Sequence, residues 1–437
     1  MMRITAILGA FAAVAVAGAA PAREARPGGD VVLTNVRVIT GTGKVIEHGA
    51  IVVADGKIVS VAEGAAPRAA RGTRIDASGM TAIAGYIDTH RHLIPMARPG
   101  AGPTVAQYLA GDAARDMQAL LESGITTVQS GGDDAKGIIA LRDMVAEGKI
   151  SGPRIIAGAW AFPPVLAPRT MTEAQVRAAI DAIHDEGADS VAEIPYPTIA
   201  SMTADTQWPF NPTEQETRNL AAALDEGKKL GMEVQVHAVS PPAQVAATRL
   251  GARRLVHSSH YAFMTDAEAK EIAATGAMVA SSVANASPLF GVFNHDNKPT
   301  TRDGAPWPGG NPAAEDRGQA AGKFPLNLRT LYDNGVTVAY SSDTSFDPTA
   351  TLAHELNTLS LVFSPVDLVR IIGPNSAAFV DHAADRGTLE PGKLGDILLL
   401  TGNPLDGYWN FLKPVVVIKD GKVVVDKRGE LRTVRTL

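Results

Sequence analysis

The segment GYIDTHRH, residues 85–92, decides how this chain is interpreted, because an apolar strand within it ends on two histidines. Side chains two positions apart on a β-strand point to the same face, so His90 and His92 can serve one ligand site. Alone, the pattern is a weak signal, since two surface histidines without a ligand explain it equally well. The rest of the chain decides between these explanations.

The segment stands at the start of a regular alternation of apolar strands and amphipathic helices. The candidate strands read AIAGYIDTH, ITTVQSG, RIIAGAW, DSVAEI, EVQVHA, RLVHSS, AMVASSV and VTVAYSSD. Two of the helical segments between them end at Gly187 and Gly231, and glycine is the residue that most often ends a helix in the left-handed conformation. Eight strand–helix units over about 300 residues predict an α/β fold, a (β/α)8 TIM-like barrel, which we place at residues 81–385.

Both flanks of this barrel read as short strands joined by tight turns. Residues 30–80 contain Asp55-Gly56 between two apolar runs, and residues 386–437 contain Asp420-Gly421 in the same setting. Asp-Gly is typical of a two-residue hairpin turn. The two flanks therefore predict a small composite β-sandwich domain formed by both termini.

The first 22 residues resemble a secretory signal peptide. Met1-Met2-Arg3 gives a basic start, an apolar run follows, and Ala20-Pro21-Ala22 provides a small-residue cleavage site. The alternative is an uncleaved anchor, but the run is alanine-rich and slightly shorter than the roughly 20 residues that span a bilayer. We therefore expect residues 1–22 to be removed and the mature protein to be exported, periplasmic or secreted, without membrane association.

Composition excludes several classes of site. The net charge is −6 with both signs interspersed, which leaves no basic surface for nucleic acid. The chain contains no cysteine, so disulfides, thiolate nucleophiles and thiolate metal ligands are excluded. Any metal must be held by histidine, aspartate, glutamate or a modified lysine.

Further metal-ligating side chains stand at the ends of the later candidate strands. His237 ends EVQVH, His257 ends RRLVH, and Asp343 ends VAYSSD. Active sites of these barrels lie at the carboxyl ends of the strands. The sequence therefore predicts one shared metal site that includes His90, His92 and these three residues.

These motifs resemble the amidohydrolase superfamily of metal-dependent hydrolases, in particular its imidazolonepropionase/prolidase-like branch. The similarity is carried by GYIDTHRH, VQVHA, LVHS and SSD, and by the tail RGTLEPGKLGDILLL followed by VIKDGKVV, and it extends over residues 30–437. It implies a distorted barrel with the composite β-sandwich. It also implies that His90, His92, His237, His257 and Asp343 occupy the metal-site positions.

The fourth strand departs from the commonest pattern of that superfamily. Relatives often carry G-A-D-x-x-K, with a carboxylated lysine that bridges two metals, but here Ala192 stands at the lysine position and Glu193 follows it. Glu193 can supply the same two oxygens, and it is the candidate bridging ligand. A step of one residue reverses the facing of a strand unless a bulge intervenes. The alternative is that Glu193 forms a structural ion pair and that the site holds one metal.

The resemblance and the ligand set together predict an exported metal-dependent hydrolase. Its metal-activated hydroxide would attack a carbon–nitrogen bond in an amide, peptide, cyclic amide or carbamate, and Asp343 would transfer the proton. The cofactor would be a divalent metal, one or two ions, with Zn first and Mn, Co or Fe compatible with the same ligands. The substrate would be a small molecule or a short peptide, and a homo-oligomer is possible.

Two other functions remain open at this point. A deaminase of the same superfamily would resemble its relatives in having a glutamate three residues after His237, where this chain has Ser240. A non-catalytic metal-binding protein on the same fold is the second alternative.

Residues that would contact a substrate are harder to derive from the sequence. Tyr196 follows the fourth strand, and His260 and Tyr261 follow His257, so all three are candidates for the rim of the site. The long segment 285–317 is rich in Gly, Pro and Asn, and it would either cover the substrate or only pack locally. Arg91, between two candidate ligands, is predicted to be structural.

Overall fold

The computed structural model describes residues 30–68, 70–95, 102–162, 170–198, 212–259, 262–283, 317–345 and 347–430. The predicted signal peptide, residues 1–22, lies outside this range. No helix in the described part of the chain combines the length and the apolarity that crossing a membrane requires.

The described residues form 17 strands. Their bounds are β1 Val31–Ile39, β2 Val45–Ala54, β3 Lys57–Glu63, β4 Thr73–Asp76, β5 Thr81–Ala84, β6 Tyr86–Arg91, β7 Ile125–Ser130, β8 Arg154–Ile156, β9 Gly158–Ala159, β10 Ser190–Pro195, β11 Glu233–His237, β12 Arg254–Val256, β13 Met278–Ala280, β14 Thr337–Ala339, β15 Ile397–Leu400, β16 Pro414–Lys419 and β17 Lys422–Asp426.

The helices alternate with the middle strands. Their bounds are α1 Val105–Ala110, α2 Ala113–Glu122, α3 Ala135–Ala146, α4 Glu173–Glu186, α5 Glu214–Leu230, α6 Pro241–Arg249, α7 Asp266–Ala274, α8 Arg317–Asp333, α9 Pro348–Leu359, α10 Pro365–Arg370 and α11 Ser376–Phe379. Short π and 3-10 turns cover Ile371–Asn375, Pro404–Asp406 and Tyr408–Asn410.

The middle of the chain is TIM-barrel-like. One parallel sheet has the order β14-β13-β12-β11-β10-β9 and a second has the order β6-β7-β8. Only Ala157 separates β8, in the second sheet, from β9, in the first, so the chain passes directly from one sheet to the other there. On the other side, the Thr89 amide donates to the Tyr340 carbonyl at 3.1 Å and the Asp343 amide to the His90 carbonyl at 2.8 Å.

The predicted first barrel strand, AIAGYIDTH, is in fact two strands. β5 pairs with β1 and with β15, whereas β6 pairs with β7. Gly85 separates them, and a Cβ at this position would lie 2.2 Å from Thr126 Oγ1. The chain can therefore pass from one sheet to the other at Gly85 because glycine has no side chain.

Strands from both ends of the chain share one sheet, in the order β17-β16-β15-β5-β1-β2-β3, with β4 beside β1. The two predicted hairpin turns are confirmed, because Asp55-Gly56 joins β2 to β3 and Asp420-Gly421 joins β16 to β17, all four residues with positive φ. The sandwich form and the domain boundaries stay predictions.

The terminal sheet packs against the barrel. Leu398, Leu400 and Phe411 belong to the same buried apolar cluster as the barrel core. The Tyr86 hydroxyl donates to the Phe411 carbonyl at 2.8 Å, and Arg154 pairs with Asp396 at 2.9 Å. Burial of this apolar surface is the main contribution to the stability of such a contact.

Both helix ends predicted from glycine are confirmed. Gly187 ends α4 and Gly231 ends α5, each in the left-handed conformation. At the other end of these helices, Thr172 and Thr213 each form a capping box with the residue three positions later. Local sequence therefore sets the length of the helices that precede and follow β10.

Candidate active site

The six predicted metal ligands lie together at the carboxyl ends of the barrel strands. His90 and His92 lie at the end of β6, Glu193 is within β10, and His237 is the last residue of β11. His257 follows β12 directly, and Asp343 lies four residues after β14. Their ligand atoms fall into three groups, each within 4.8 Å: His90, His257 and Asp343; His90, His92 and Glu193; and Glu193, His237 and His257.

A bulge in β10 places Glu193 in this cluster. Val191 lies opposite Val234, and Ile194 lies opposite Val236, so three steps along β10 match two steps along β11. The extra residue of such a bulge changes the facing of the strand. The bulge that Glu193 needs in order to face the site as a bridging ligand is therefore present in β10.

The two oxygens of Glu193 face different histidines. Oε2 lies 3.6 Å from His90 Nε2, whereas Oε1 lies 3.5 Å from His257 Nε2 and accepts a close hydrogen bond from His237 Nδ1. Its carboxylate therefore lies between the histidines at the end of β6, His90 and His92, and those at the ends of β11 and β12.

Asp343 lies against the β6 side of the cluster. Its Oδ1 is 3.3 Å from His92 Nε2 and 3.4 Å from His90 Nε2, and its Oδ2 is 3.5 Å from His257 Nδ1. The residue has a φ of 46°, in the left-handed region that aspartate tolerates better than most residues.

Several observations show that the donor set fits a divalent cation. His90 Nε2 and His257 Nδ1 are buried and have no hydrogen-bond partner within the described part of the chain. A buried polar atom without a partner is rare and costly, and imidazole with carboxylate is a usual ligand set for Zn and similar ions. A Cβ at Gly131 would lie 2.7 Å from His90 Nε2, so the glycine keeps the surroundings of this atom clear.

The electrostatics keep both carboxylates ionised. Burial alone would raise the pKa of Glu193, but His237 and the other histidines outweigh it and hold this pKa well below its usual range. The same competition between burial and His257, His90 and His92 lowers the pKa of Asp343. Ionised carboxylates and imidazoles are ligands that suit a divalent cation such as Zn²⁺.

The histidine pKa values differ across the cluster. Burial opposes protonation of His92, but the Asp343 carboxylate prevails and raises the pKa of His92 to about 9. At His257 burial prevails and lowers the pKa. Burial and the charge of the nearby carboxylates are therefore balanced differently at these two histidines.

Two residues next to the cluster, Asp88 and Arg91, fix the segment that carries Asp343, and the sequence analysis predicted a structural role only for Arg91. Asp88 accepts hydrogen bonds from the Ser342 amide at 3.1 Å and from the Ser342 hydroxyl at 2.6 Å. Arg91 is buried and donates to Ser342 at 3.1 Å, which agrees with its predicted structural role. The only signal for Asp88 is its position in the same short segment as His90.

The loop after β7 also supports the cluster, through His92 and the two residues that follow it. The Gly132 carbonyl lies 2.8 Å from His92 Nδ1, and Asp133 accepts from the amides of Leu93 and Ile94 at 2.9 and 3.1 Å. Burial raises the pKa of Asp133 to about 6. This loop therefore holds both the ring of His92 and the chain that follows it.

Of the three predicted substrate contacts, Tyr196 alone lies within the described residues. Tyr196 is buried in the barrel core, and its hydroxyl lies 3.1 Å from Thr217 Oγ1 on α5. Its position between β10 and a barrel helix does not support a substrate contact. His260 and Tyr261 lie outside the described residues, as does almost all of segment 285–317.

Histidines and carboxylates gathered at the carboxyl ends of the strands of a TIM-barrel-like fold place the candidate site where such barrels carry their active sites. The chain belongs to the Amidohydrolase family, whose model matches residues 81–424. Family membership makes it an enzyme of the hydrolase class and confirms the resemblance seen in the sequence.

Solved structures of low sequence identity share the fold. A prolidase complexed with N-methylphosphonate-L-proline is 20% identical, with 91% of this chain and 100% of that chain covered and a TM-score of 0.74. A Xaa-Pro dipeptidase with bound methionine is 20% identical, with 90% and 99% covered and a TM-score of 0.72. The ochratoxinase of A. niger is 16% identical, with 92% and 97% covered and a TM-score of 0.71. A search of curated proteins gave no significant match.

Proposed function

We propose that this protein hydrolyses a carbon–nitrogen bond of an amide, peptide, cyclic amide or carbamate at a divalent-metal site. The observation that carries the proposal is the position of Glu193, with one oxygen toward His90 and the other toward His237 and His257. The family membership and the likeness to a dipeptidase, an enzyme that cleaves a peptide bond, support this reaction class.

Two metal positions account for the arrangement of the ligands. His90, His92 and Asp343 would hold one ion, His237 and His257 the other, and Glu193 would bridge them. When bound, such ions supply Lewis acidity toward a carbonyl oxygen and lower the pKa of water. Zn is the first candidate, and Mn, Co or Fe suit the same ligands.

Asp343 is the residue to which we assign proton transfer. Its carboxylate is ionised, because the surrounding histidines hold its pKa below the usual range. It accepts a proton from the attacking water as the new carbon–oxygen bond forms, and it returns that proton to the leaving nitrogen as the carbon–nitrogen bond breaks. The products are a carboxylic acid (a carbonic acid monoester from a carbamate) and an amine, or a ring-opened amino acid from a cyclic amide.

The test combines metal analysis with a panel of chromogenic amides, dipeptides, cyclic amides, carbamates and esters. We expect turnover of at least one carbon–nitrogen substrate that is lost on chelation and restored by metal. Asp343→Asn, compared with the wild type at equal metal content, should lower kcat by about 10²–10⁴-fold. Asp347→Asn is the matched control, because asparagine is an equally good N-cap for α9.

Two results would contradict the proposal. An Asp343→Asn variant that keeps both its metal and wild-type turnover would remove the assigned role. A protein without metal-dependent turnover of any panel member would favour the binding-only alternative.

Deamination has less support than hydrolysis of a carbon–nitrogen bond. Ser240 stands where deaminases of the superfamily would be expected to carry glutamate, and its hydroxyl accepts a hydrogen bond from the Ala243 amide at the start of α6. Ammonia release from a nucleobase in the same assays would revive this alternative.

The proposal includes export, on the strength of the composition of residues 1–22. The measurement is N-terminal sequencing of the protein recovered from the periplasm or medium. A mature chain that begins directly after Ala22 is expected, and recovery of only the full-length cytoplasmic chain would contradict export.

A further inference from the structure

One buried glutamine contacts a candidate metal ligand. Gln235 lies on β11, two residues before His237, and it is fully buried. Its Oε1 lies 2.7 Å from His90 Nδ1, and its Nε2 donates to the Thr89 carbonyl at 3.2 Å. The carboxamide therefore connects β11 to two consecutive residues of β6.

The chemistry of the three groups fixes the direction of both hydrogen bonds. The Thr89 carbonyl can only accept, so it takes the NH₂ end of the Gln235 amide, and the oxygen end faces His90. An oxygen acceptor requires a donor, so His90 Nδ1 carries a proton. In a neutral imidazole the lone pair is then on Nε2, the buried atom that lies 3.4 Å from Asp343 and 3.6 Å from Glu193.

We propose that Gln235 is a positioning residue that holds His90 with Nδ1 protonated and Nε2 directed at the metal site. The inference deepens the proposed function and relies on it for the identity of the cation. A metal-bound histidine is typically held in this way by an acceptor on its other ring nitrogen. Here that acceptor is a neutral amide, so the site gains no charge beyond Glu193 and Asp343.

His90 differs in this respect from His92, which directly follows β6. The ring of His92 is held by the backbone carbonyl of Gly132, which no substitution removes. The ring of His90 depends on a side chain from another strand. A substitution at Gln235 can therefore disturb His90 while His92 serves as an internal control.

The experiment compares Gln235→Leu with a matched variant, Gln129→Leu. Gln129 is an equally buried glutamine on β7, and its amide bonds Ser190 and Glu233 at 3.1 and 3.3 Å. We expect Zn²⁺ affinity of the metal-depleted protein to fall by about 10–100-fold in Gln235→Leu and to change by less than about threefold in Gln129→Leu. Gln235→Glu keeps the acceptor and should recover most of the affinity.

The second readout is the Nδ1–H proton of His90 in NMR spectra of metal-free protein, assigned by its absence from His90→Asn. We expect this signal in the wild type, Gln129→Leu and Gln235→Glu, and its loss in Gln235→Leu, with the His92 signal retained in all four proteins. An unchanged His90 signal in Gln235→Leu, or equal Zn²⁺ affinity of the two leucine variants, would overturn the inference. A wild type that binds no divalent metal contradicts the proposed function, while the ring-proton signal still decides the role of Gln235.

Discussion

Glu193 is the residue that joins the two halves of the candidate site. Each of its oxygens lies near a different set of imidazoles, and those imidazoles hold its pKa well below the usual range. A glutamate at this position can thus do unmodified what a carboxylated lysine does in many members of the superfamily that the sequence resembles. We therefore propose that the charge and the reach of this one side chain decide whether the site holds one ion or two.

Replacing Glu193 by glutamine should lower the metal content by at least one ion per chain. The amide removes the negative charge and offers an NH₂ group where an oxygen ligand is needed. Elemental analysis of dialysed protein measures the change. Glu233→Gln, at the opposite end of the barrel, should keep the wild-type content, and an unchanged content in Glu193→Gln would assign Glu193 to a structural ion pair.

At the scale of elements, the candidate site depends on how the loops after β6, β7 and β14 are tied together. Asp88 binds the segment that carries Asp343, and Asp133 binds the segment that follows His92. Buried carboxylates that accept several N–H and O–H donors hold loops in one conformation. The candidate ligands His92 and Asp343 therefore lie on short segments whose backbone is held by the buried carboxylates of Asp133 and Asp88.

Replacing Asp133 by asparagine should destabilise the fold by about 1–3 kcal/mol. Asp133 accepts from the Leu93 and Ile94 amides and from the Ser130 hydroxyl, and an NH₂ group cannot accept from any of them. Urea denaturation at one pH measures the difference. Asp134→Asn is the control, since Asp134 is the exposed N-cap of α3 and asparagine caps equally well; equal stabilities of the two variants would contradict this account.

At the scale of the whole molecule, the two ends of the barrel carry different charge arrangements. The carboxyl ends of the strands gather the histidine–carboxylate cluster. The amino ends carry buried ion pairs, in which Glu233 pairs with Arg254 and Arg154 pairs with Asp396 of the terminal sheet. The Arg154–Asp396 pair fixes the contact between sheet and barrel more than it adds stability.

Glu233 should make stability depend on pH. Burial raises its pKa to about 7 from a usual value of 4.5, against the opposing charge of Arg254. Between these pH values the native state binds more protons than the unfolded state, so the contribution of Glu233 to the free energy of unfolding falls as pH rises, by up to about 3 kcal/mol. Urea denaturation of the wild type and Glu233→Gln at pH 5 and pH 8 tests this.

The expected result is that the wild type loses stability relative to Glu233→Gln on going from pH 5 to pH 8. A difference that is constant with pH, or that changes in the opposite direction, would show that Arg254 outweighs burial at this position.

The sequence by itself determined the features that depend on a few neighbouring residues. The alternation of side chains along a strand put His90 and His92 on one face. The two Asp-Gly pairs predicted both hairpin turns, and Gly187 and Gly231 predicted the ends of two helices. The positions of His237 and His257 at strand ends followed from the rule that barrel strands end at one face. All of these depend on local backbone geometry.

Only the tertiary structure decided what depends on register between strands distant in sequence. The bulge that places Glu193 in the cluster depends on how β10 pairs with β11. Gln235 reaches His90 only because β11 and β6 approach each other across the barrel. The same holds for Tyr196, which follows a site strand but packs toward α5. A side chain's partner across a barrel is set by how all the strands align, and no local pattern encodes that alignment.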